Sequence, residues 1–317
     1  MVETRRSGKG IAAGVAFIVF LIIATFCTPP HHASAAEKTV GVVMTGNIPY
    51  YREIHKAFTE GLAIEGLGDT AVILQTPSPD KMSWVNAVRK LISVGADIIV
   101  SYGAPVTLTA VTEVPDVPVV FAGVYDPQAL GIPARNATGI SSKVPVASLI
   151  KNLKSIANFS TLGVVYSEAE KDTVLQANDV RSFEGTYGYR SSRFNARKSE
   201  DIAKISRVDA LLLTTGCAVM QCVHTIIGAV RKAKIPTGAT ISGEEGSGII
   251  LTLSANPQEQ GREAARTAAR VLRGAKPSSI PFEQPKKIDL IINLKEANDM
   301  GLKIPFDLLT AATKVIK

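Results

Sequence analysis

Gly131-Ile132-Pro133-Ala134-Arg135-Asn136 breaks an otherwise regular alternation of strand and helix, and the break argues for two sheets rather than one. Upstream, Val- and Ile-rich apolar runs at 40–44, 71–74, 97–100 and 117–121 read as parallel strands buried on both faces. Amphipathic stretches at 51–65 and 82–94 lie between them as helices. Downstream the pattern resumes, with strands at 162–166, 209–214 and 248–253 and helices at 145–156, 168–183, 219–233 and 257–273. About four strand–helix units fall on each side of the break, which implies an α/β chain of two Rossmann-like lobes, each a parallel sheet covered by helices.

Residues 137–141 read as a strand crossing between the lobes. After the Pro-rich 276–285, an isolated apolar strand at 288–293 and a short helix at 294–298 suit a last crossover back to the first lobe. The expected organisation is therefore 1–35 as a leader, 36–137 as the N-terminal lobe completed by about 288–317, and 138–287 as the C-terminal lobe. Two lobes joined by several crossover strands make a type I periplasmic-binding fold. Ligands of open α/β sheets sit beyond the carboxyl ends of the strands, so the site is expected in the cleft between both sets of ends. Closure is then a hinge motion about the crossovers.

The leader reads as an export signal. Arg5, Arg6 and Lys9 precede an uncharged apolar run from 11 to 27, followed by Pro29, Pro30 and Ala33-Ser34-Ala35, with cleavage expected after Ala35. An uncleaved N-terminal anchor is the alternative, because 17 residues can form a short membrane span. A lipoprotein site at Cys27 is disfavoured by the large Phe26 before it. The expected location is the periplasm.

The formal charge is +7, and losing Arg5, Arg6, Lys9 and Glu3 with the leader leaves +5. The remaining basic residues are scattered rather than gathered with aromatics, which gives no support to nucleic-acid binding. Cys217 and Cys222 remain in a compartment where a disulfide persists. Five residues apart in one helix they cannot bridge, so a bond requires Cys217 to lie in the loop before it.

Candidate binding residues follow the strand ends. Asn47, Tyr50 and Tyr51 surround a helix start that offers free N–H groups to a carboxylate and flat faces to an aromatic ligand. Ser101, Tyr102 and Gly103, followed by Pro105, repeat that arrangement after the third strand. Tyr125 and Asp126 follow the fourth; Asp126 either takes a ligand ammonium or caps the turn at Pro127. Ser141 and Ser142 at the crossover, Tyr166, and Thr214, Thr215 and Cys217 complete the set from the second lobe. Glu168 reads equally as a first-turn charge, and Gly243–Gly248 as a solvated loop.

Enzyme readings find little. His55 and His224 lie in helical stretches without metal-ligand spacing, and no catalytic or metal residues are assigned. There is no G-x-S-x-G elbow, no P-loop, and no G-x-G-x-x-G between a strand and a helix, so no cofactor is expected.

The C-terminal third carries a resemblance. The motifs are Gln260, Ala269-Arg270-Val271-Leu272-Arg273-Gly274, Lys276-Pro277, Ile280-Pro281, Pro285-Lys286-Lys287, Ile288-Asp289-Leu290-Ile291-Ile292-Asn293-Leu294 and Gly301-Leu302-Lys303-Ile304-Pro305. Upstream are Ser101-Tyr102-Gly103-Ala104-Pro105, Val120-Phe121-Ala122-Gly123-Val124-Tyr125-Asp126-Pro127 and Thr138-Gly139-Ile140-Ser141. In order and spacing this resembles the ABC transporter substrate-binding family that includes tryptophan/tyrosine-type importers. The resemblance implies capture of a small organic solute, an amino acid or similar zwitterion, and delivery to an ABC permease with its ATPase. The membrane is then met only through the permease. A periplasmic sensory module for a receptor kinase is the alternative, and an exported α/β enzyme a weaker one. Where the family commonly shows an Asp-Asn-Thr-like turn, this chain has Thr215-Gly216-Cys217-Ala218, so the ligand of better-known members does not transfer directly.

Overall fold

A computed structural model describes residues 38–317. The expected leader, its cleavage site and the alternative anchor lie outside the described residues. Among the described residues no helix is long and apolar enough to cross a membrane.

Mostly β-branched runs form the first sheet, buried on both faces except at the half-buried edge strand β2 (Ala71–Gln75). Its strands are β1 (Thr39–Met44), β2 (Ala71–Gln75), β3 (Ile98–Tyr102), β4 (Val119–Val124) and β5 (Ala137–Ser141), in the order β2-β1-β3-β4-β5 and all parallel. The helices between them are α1 (Pro49–Ile64), α2 (Lys81–Ser93) and α3 (Ala104–Glu113). Proline at the start of α1 and α3 fits the first turn, where no N–H is needed. Asp80 caps α2 by accepting from the Ser83 N–H at 3.0 Å. Strand alternation divides the core. Ile98, Val100 and Tyr102 pack toward α1 with Ile54 and Phe58, whereas Ile99 packs with Val88, Leu91 and Ala104 of α2 and α3.

The second sheet has seven strands: β6 (Thr161–Tyr166), β7 (Arg190–Asn195), β8 (Ala210–Leu213), β9 (Thr237–Ala239), β10 (Leu251–Ala255), β11 (Ile288–Asn293) and β12 (Lys314–Ile316). Their order is β12-β11-β10-β9-β8-β6-β7, parallel except for the antiparallel β10–β11 pair. The associated helices are α4 (Val146–Ile156), α5 (Lys171–Ser182), α6 (Glu184–Tyr187), α7 (Ser199–Ile202), α8 (Cys217–Gln221) and α9 (Val223–Lys232). Then follow α10 (Pro257–Leu272), α11 (Leu294–Met300) and α12 (Phe306–Ala311). The two-sheet α/β reading holds, while three short or polar strands, β7, β9 and β12, escape the hydrophobic pattern.

Two expectations about the lobes are corrected. Residues 137–141 do not cross between lobes; they form the fifth strand of the first sheet, paired with β4. The strand at 288–293 does not return to the first lobe either. It finds a free edge on β10, with Leu253 opposite Leu290, and so extends the second sheet. The element that returns is α10. Its small residues allow a close crossing of α1: a Cβ on Gly61 would lie 2.6 Å from the Ala265 Cβ, and one on Gly261 would run into the Ile54 carbonyl. Gln260 then reaches the first sheet, accepting from the Gly123 N–H and donating to the Ser141 carbonyl, both at 2.8 Å.

The chain therefore passes between lobes three times, at 141–146, 255–257 and 283–288. At the last passage Glu283 pairs with the end of β5, donating to Gly139 O at 2.9 Å and accepting from Ser141 N at 2.8 Å.

Candidate ligand-binding cleft

The carboxyl ends of both sheets face each other, and the lobes are in contact there. On the first lobe, Thr45 and Gly46 leave β1. Thr45 is held by its N–H to the Tyr102 carbonyl (2.9 Å) and by the Trp84 Nε1 to its own carbonyl (2.8 Å). Gly103, at φ +95°, turns β3 into α3. A side chain there would collide with the Tyr51 hydroxyl and, at 2.5 Å, with Thr45 Oγ1, so these two hydroxyls converge on the glycine.

From the second lobe, Ser167 follows β6, and Thr214-Thr215-Gly216-Cys217 leads from β8 into α8. Glu170 caps α8 from outside, accepting from the Cys217 N–H at 2.9 Å and the Ala218 N–H at 3.0 Å. This carboxylate stands in for the cap that the helix's own N-cap residue, Gly216, has no side chain to supply. Gln176 of α5 donates to Thr215 Oγ1 at 2.5 Å and accepts from Thr240 Oγ1 at 2.6 Å, tying the ends of β8 and β9 together.

Several contacts join the lobes across the cleft. A Cβ on Gly46 would lie 3.1 Å from Cys217 Sγ, one on Gly243 would lie 2.8 Å from the Pro49 Cβ, and Arg197 donates to the Pro79 carbonyl at 2.6 Å.

Buried acids give the cleft its chemistry. Asp172, in the first turn of α5, is 2% exposed. Burial, with Glu170 adding to it, raises its carboxyl to about 7 against the bonds that favour the anion. Glu170 is also raised, by burial working against its two backbone partners. The Tyr51 phenol from the opposite lobe is pushed well up, first by burial and then by the negative charges of Cys217, Asp172 and Glu170. Asp172 Oδ1 and the hydroxyls of Thr45, Ser142 and Ser167 are buried without a hydrogen-bond partner among the described residues. Such groups are costly unless something pairs with them. They lie at the carboxyl ends of β1, β5 and β6 and at the start of α5.

Residues 39–316 match the family model described as ABC transporter substrate binding protein. The chain belongs to this family. A tyrosine-binding protein of Clostridioides difficile is 21% identical to this substrate-binding protein over 275 residues, covering 82% of this chain and 80% of that one. The structure of an ABC domain in complex with L-Trp from Streptococcus pneumonia is 21% identical, with a TM-score of 0.84 over 88% of this chain and 100% of the other. The ligand-free, open structure of a Clostridium difficile substrate-binding protein with adhesive properties, also 21% identical, gives 0.66 over 88% of this chain and 99% of that one. The common fold is that of type I periplasmic-binding proteins. The family implies a small-molecule solute and a transporter as partner.

In this substrate-binding protein the expected site residues divide. Tyr51, Gly103, Ser142, Thr215 and Cys217 are brought to the interlobe region as described. Asn47 is exposed at its edge and accepts from Arg52 at 3.0 Å. Tyr50 lies beside the crossover, its hydroxyl donating to Ala255 O at 3.0 Å. Ser141 is also at the crossover, donating to Tyr125 O at 2.8 Å. Tyr125 reaches the second lobe, where its hydroxyl donates to Asp179 at 2.8 Å. Tyr166 is half-buried, with its hydroxyl on Glu168 at 3.3 Å.

Other placements are corrections. Tyr102 does not cover a ligand: alternation along β3 turns it into the core against α1, where it is fully buried beside Phe58, with its hydroxyl on His55 at 3.3 Å. Ser101 points to the opposite face and pairs with Thr107 at 2.8 Å. Thr214 is spent on the Val165 carbonyl at 2.9 Å. Asp126 follows the capping alternative read from the sequence and adds an ion pair. It accepts from Ala129 N at 3.0 Å and from Lys143 at 2.6 Å, and although burial raises its carboxyl, those partners bring it below the usual range. Cys217 and Cys222 are both free, because Cys217 is already the first residue of α8 and its thiol points to Gly46, while Cys222 donates to Ala196 O at 3.6 Å.

Thr45, Ser167, Glu170, Asp172 and Gln176 were legible only in part. Helical phase carries the missed signal: Asp172, Thr173, Gln176, Ala177 and Val180 form the buried stripe of α5, so extending the apolar positions backward places an acid and an amide inside.

Proposed function

We propose that this substrate-binding protein captures an amino acid, with an aromatic side chain favoured, between its lobes and hands the closed form to an ABC permease. Asp172 carries the reading. A buried carboxylate oxygen without a partner among the described residues, with unpartnered hydroxyls at strand ends of both lobes, matches a ligand ammonium and further polar atoms of a solute. Tyr51 supplies an aromatic edge from the other lobe. The tyrosine-binding relative and the L-Trp complex support the same solute class. The basic, apolar and Ala-x-Ala order of the first 35 residues supports export to the periplasm.

Thermal-shift screening against single amino acids, followed by calorimetry, tests the proposal. A solute at a hundred times its Kd stabilises the protein by about 2.7 kcal/mol. No shift with any amino acid, including tyrosine and tryptophan, refutes the solute class. Fractionation of cells expressing the full chain tests the location.

A further inference from the structure

Apart from the buried acids, a cavity of about 350 Å³ opens where α2 and α3 of the first lobe meet the start of α5 of the second. One wall is apolar, made by Trp84, Val85, Pro105 and Leu108. Lys81 from the first lobe and Lys171 from the second also line it. Each is exposed and is the first residue of its helix, where the helix dipole disfavours a cation. Neither forms an ion pair among the described residues.

The nearby acids are engaged elsewhere. Asp80 accepts from the Ser83 N–H (3.0 Å) and hydroxyl (2.7 Å), Glu170 holds the amides at the start of α8, and Glu113 is held by Arg89 at 2.8 Å. Glu113 itself lines the cavity, but its carboxylate is paired with Arg89, so the cavity sets an apolar wall containing Trp84 beside two cations without ion-pair partners among the described residues.

We propose that this groove is an accessory subsite for an anionic aromatic group, with its carboxylate between Lys81 and Lys171 and its ring against Trp84 and Pro105. Because the walls come from both lobes, an occupant stabilises the closed arrangement. The cleft around Asp172 selects a cation and the groove an anion, so the two are chemically distinct.

Indole-3-acetate is the probe, titrated by calorimetry into the wild-type protein, a Lys81→Gln/Lys171→Gln double variant, and Lys90→Gln as a surface control. Saturable binding is expected for wild type and control, with Kd about tenfold higher in the double variant and rising with salt. Absence of saturable binding to the wild type, or equal Kd in the double variant, overturns the proposal. The probe carries no ammonium, so failure of the amino-acid reading at Asp172 leaves this readout intact. A parallel titration with L-tyrosine present separates two sources of the anion. Persistent binding identifies a second molecule, and displacement identifies the distal part of the captured solute; the lysine dependence is required in both.

Discussion

Gly46 of the first lobe and Cys217 of the second touch across the cleft: a Cβ on the glycine would lie 3.1 Å from the cysteine sulfur. Even a methyl group at position 46 crowds the sulfur while the lobes are closed, and a longer side chain has to push them apart. Gly46→Leu is therefore expected to hold the cleft open and raise the solute Kd by tenfold or more, about 1.4 kcal/mol. The melting temperature of the unliganded protein should change little. Calorimetry and small-angle scattering with and without solute check this; an unaltered Kd would show that closure does not need this contact.

Gly103 is a second steric gate, within the first lobe. Its φ of +95° and the convergence of Thr45 and Tyr51 on its α-carbon make Gly103→Ala strained and crowded at once. A loss of about 1–3 kcal/mol in stability is expected, measured by urea denaturation, together with weaker solute binding.

Protonation of Asp172 links capture to pH. Its carboxyl is raised to about 7, so between roughly pH 4 and pH 7 the folded chain binds the proton that an unfolded chain has released. Through Asp172, stability of the unliganded protein falls as pH rises through that window, by at most about 1.4 kcal/mol per unit. A ligand ammonium favours the anion, so affinity should rise with pH and be roughly 30-fold weaker at pH 5.5 than at pH 8. Asp172→Asn should bind weakly at every pH and lose the slope. A pH-independent Kd for the wild type would remove Asp172 from the ammonium site.

Tyr102 answers differently from what its position after β3 suggests. The sequence expectation is that Tyr102→Ala weakens binding without unfolding. Full burial against Phe58 and His55 instead predicts a loss of about 3–5 kcal/mol in stability. Tyr102→Phe, which keeps the packing, should preserve solute affinity. Chemical denaturation and calorimetry on both variants separate the two roles.

Gln260 holds the crossovers to the returning helix. Gln260→Leu would leave the Gly123 N–H and the Ser141 carbonyl buried without their partner. The expected cost is about 2–4 kcal/mol, read from thermal or urea unfolding.

Local pattern was enough for most of the fold. The Val- and Ile-rich runs and the amphipathic stretches carry strand and helix periodicity in their own residues, so two α/β lobes and the face that bears the cleft were readable directly. Polar β7 and short β9 lacked that periodicity. The fate of 288–293 was a different problem, because an apolar strand suits either sheet. The free edge of β10 and the small-residue fit of α10 to α1 chose between them.

The candidate site divides along the same line. From the sequence alone came the two-lobed α/β class, the strand ends that line the cleft and the likeness to solute binders, because each is written in neighbouring residues. Tertiary structure alone decided that Tyr102 is core, that Cys217 meets Gly46 and stays unbonded to Cys222, and that Asp172 and Glu170 are buried. Those facts depend on which faces meet when distant segments pack, and burial is a property of the packed pair rather than of either segment.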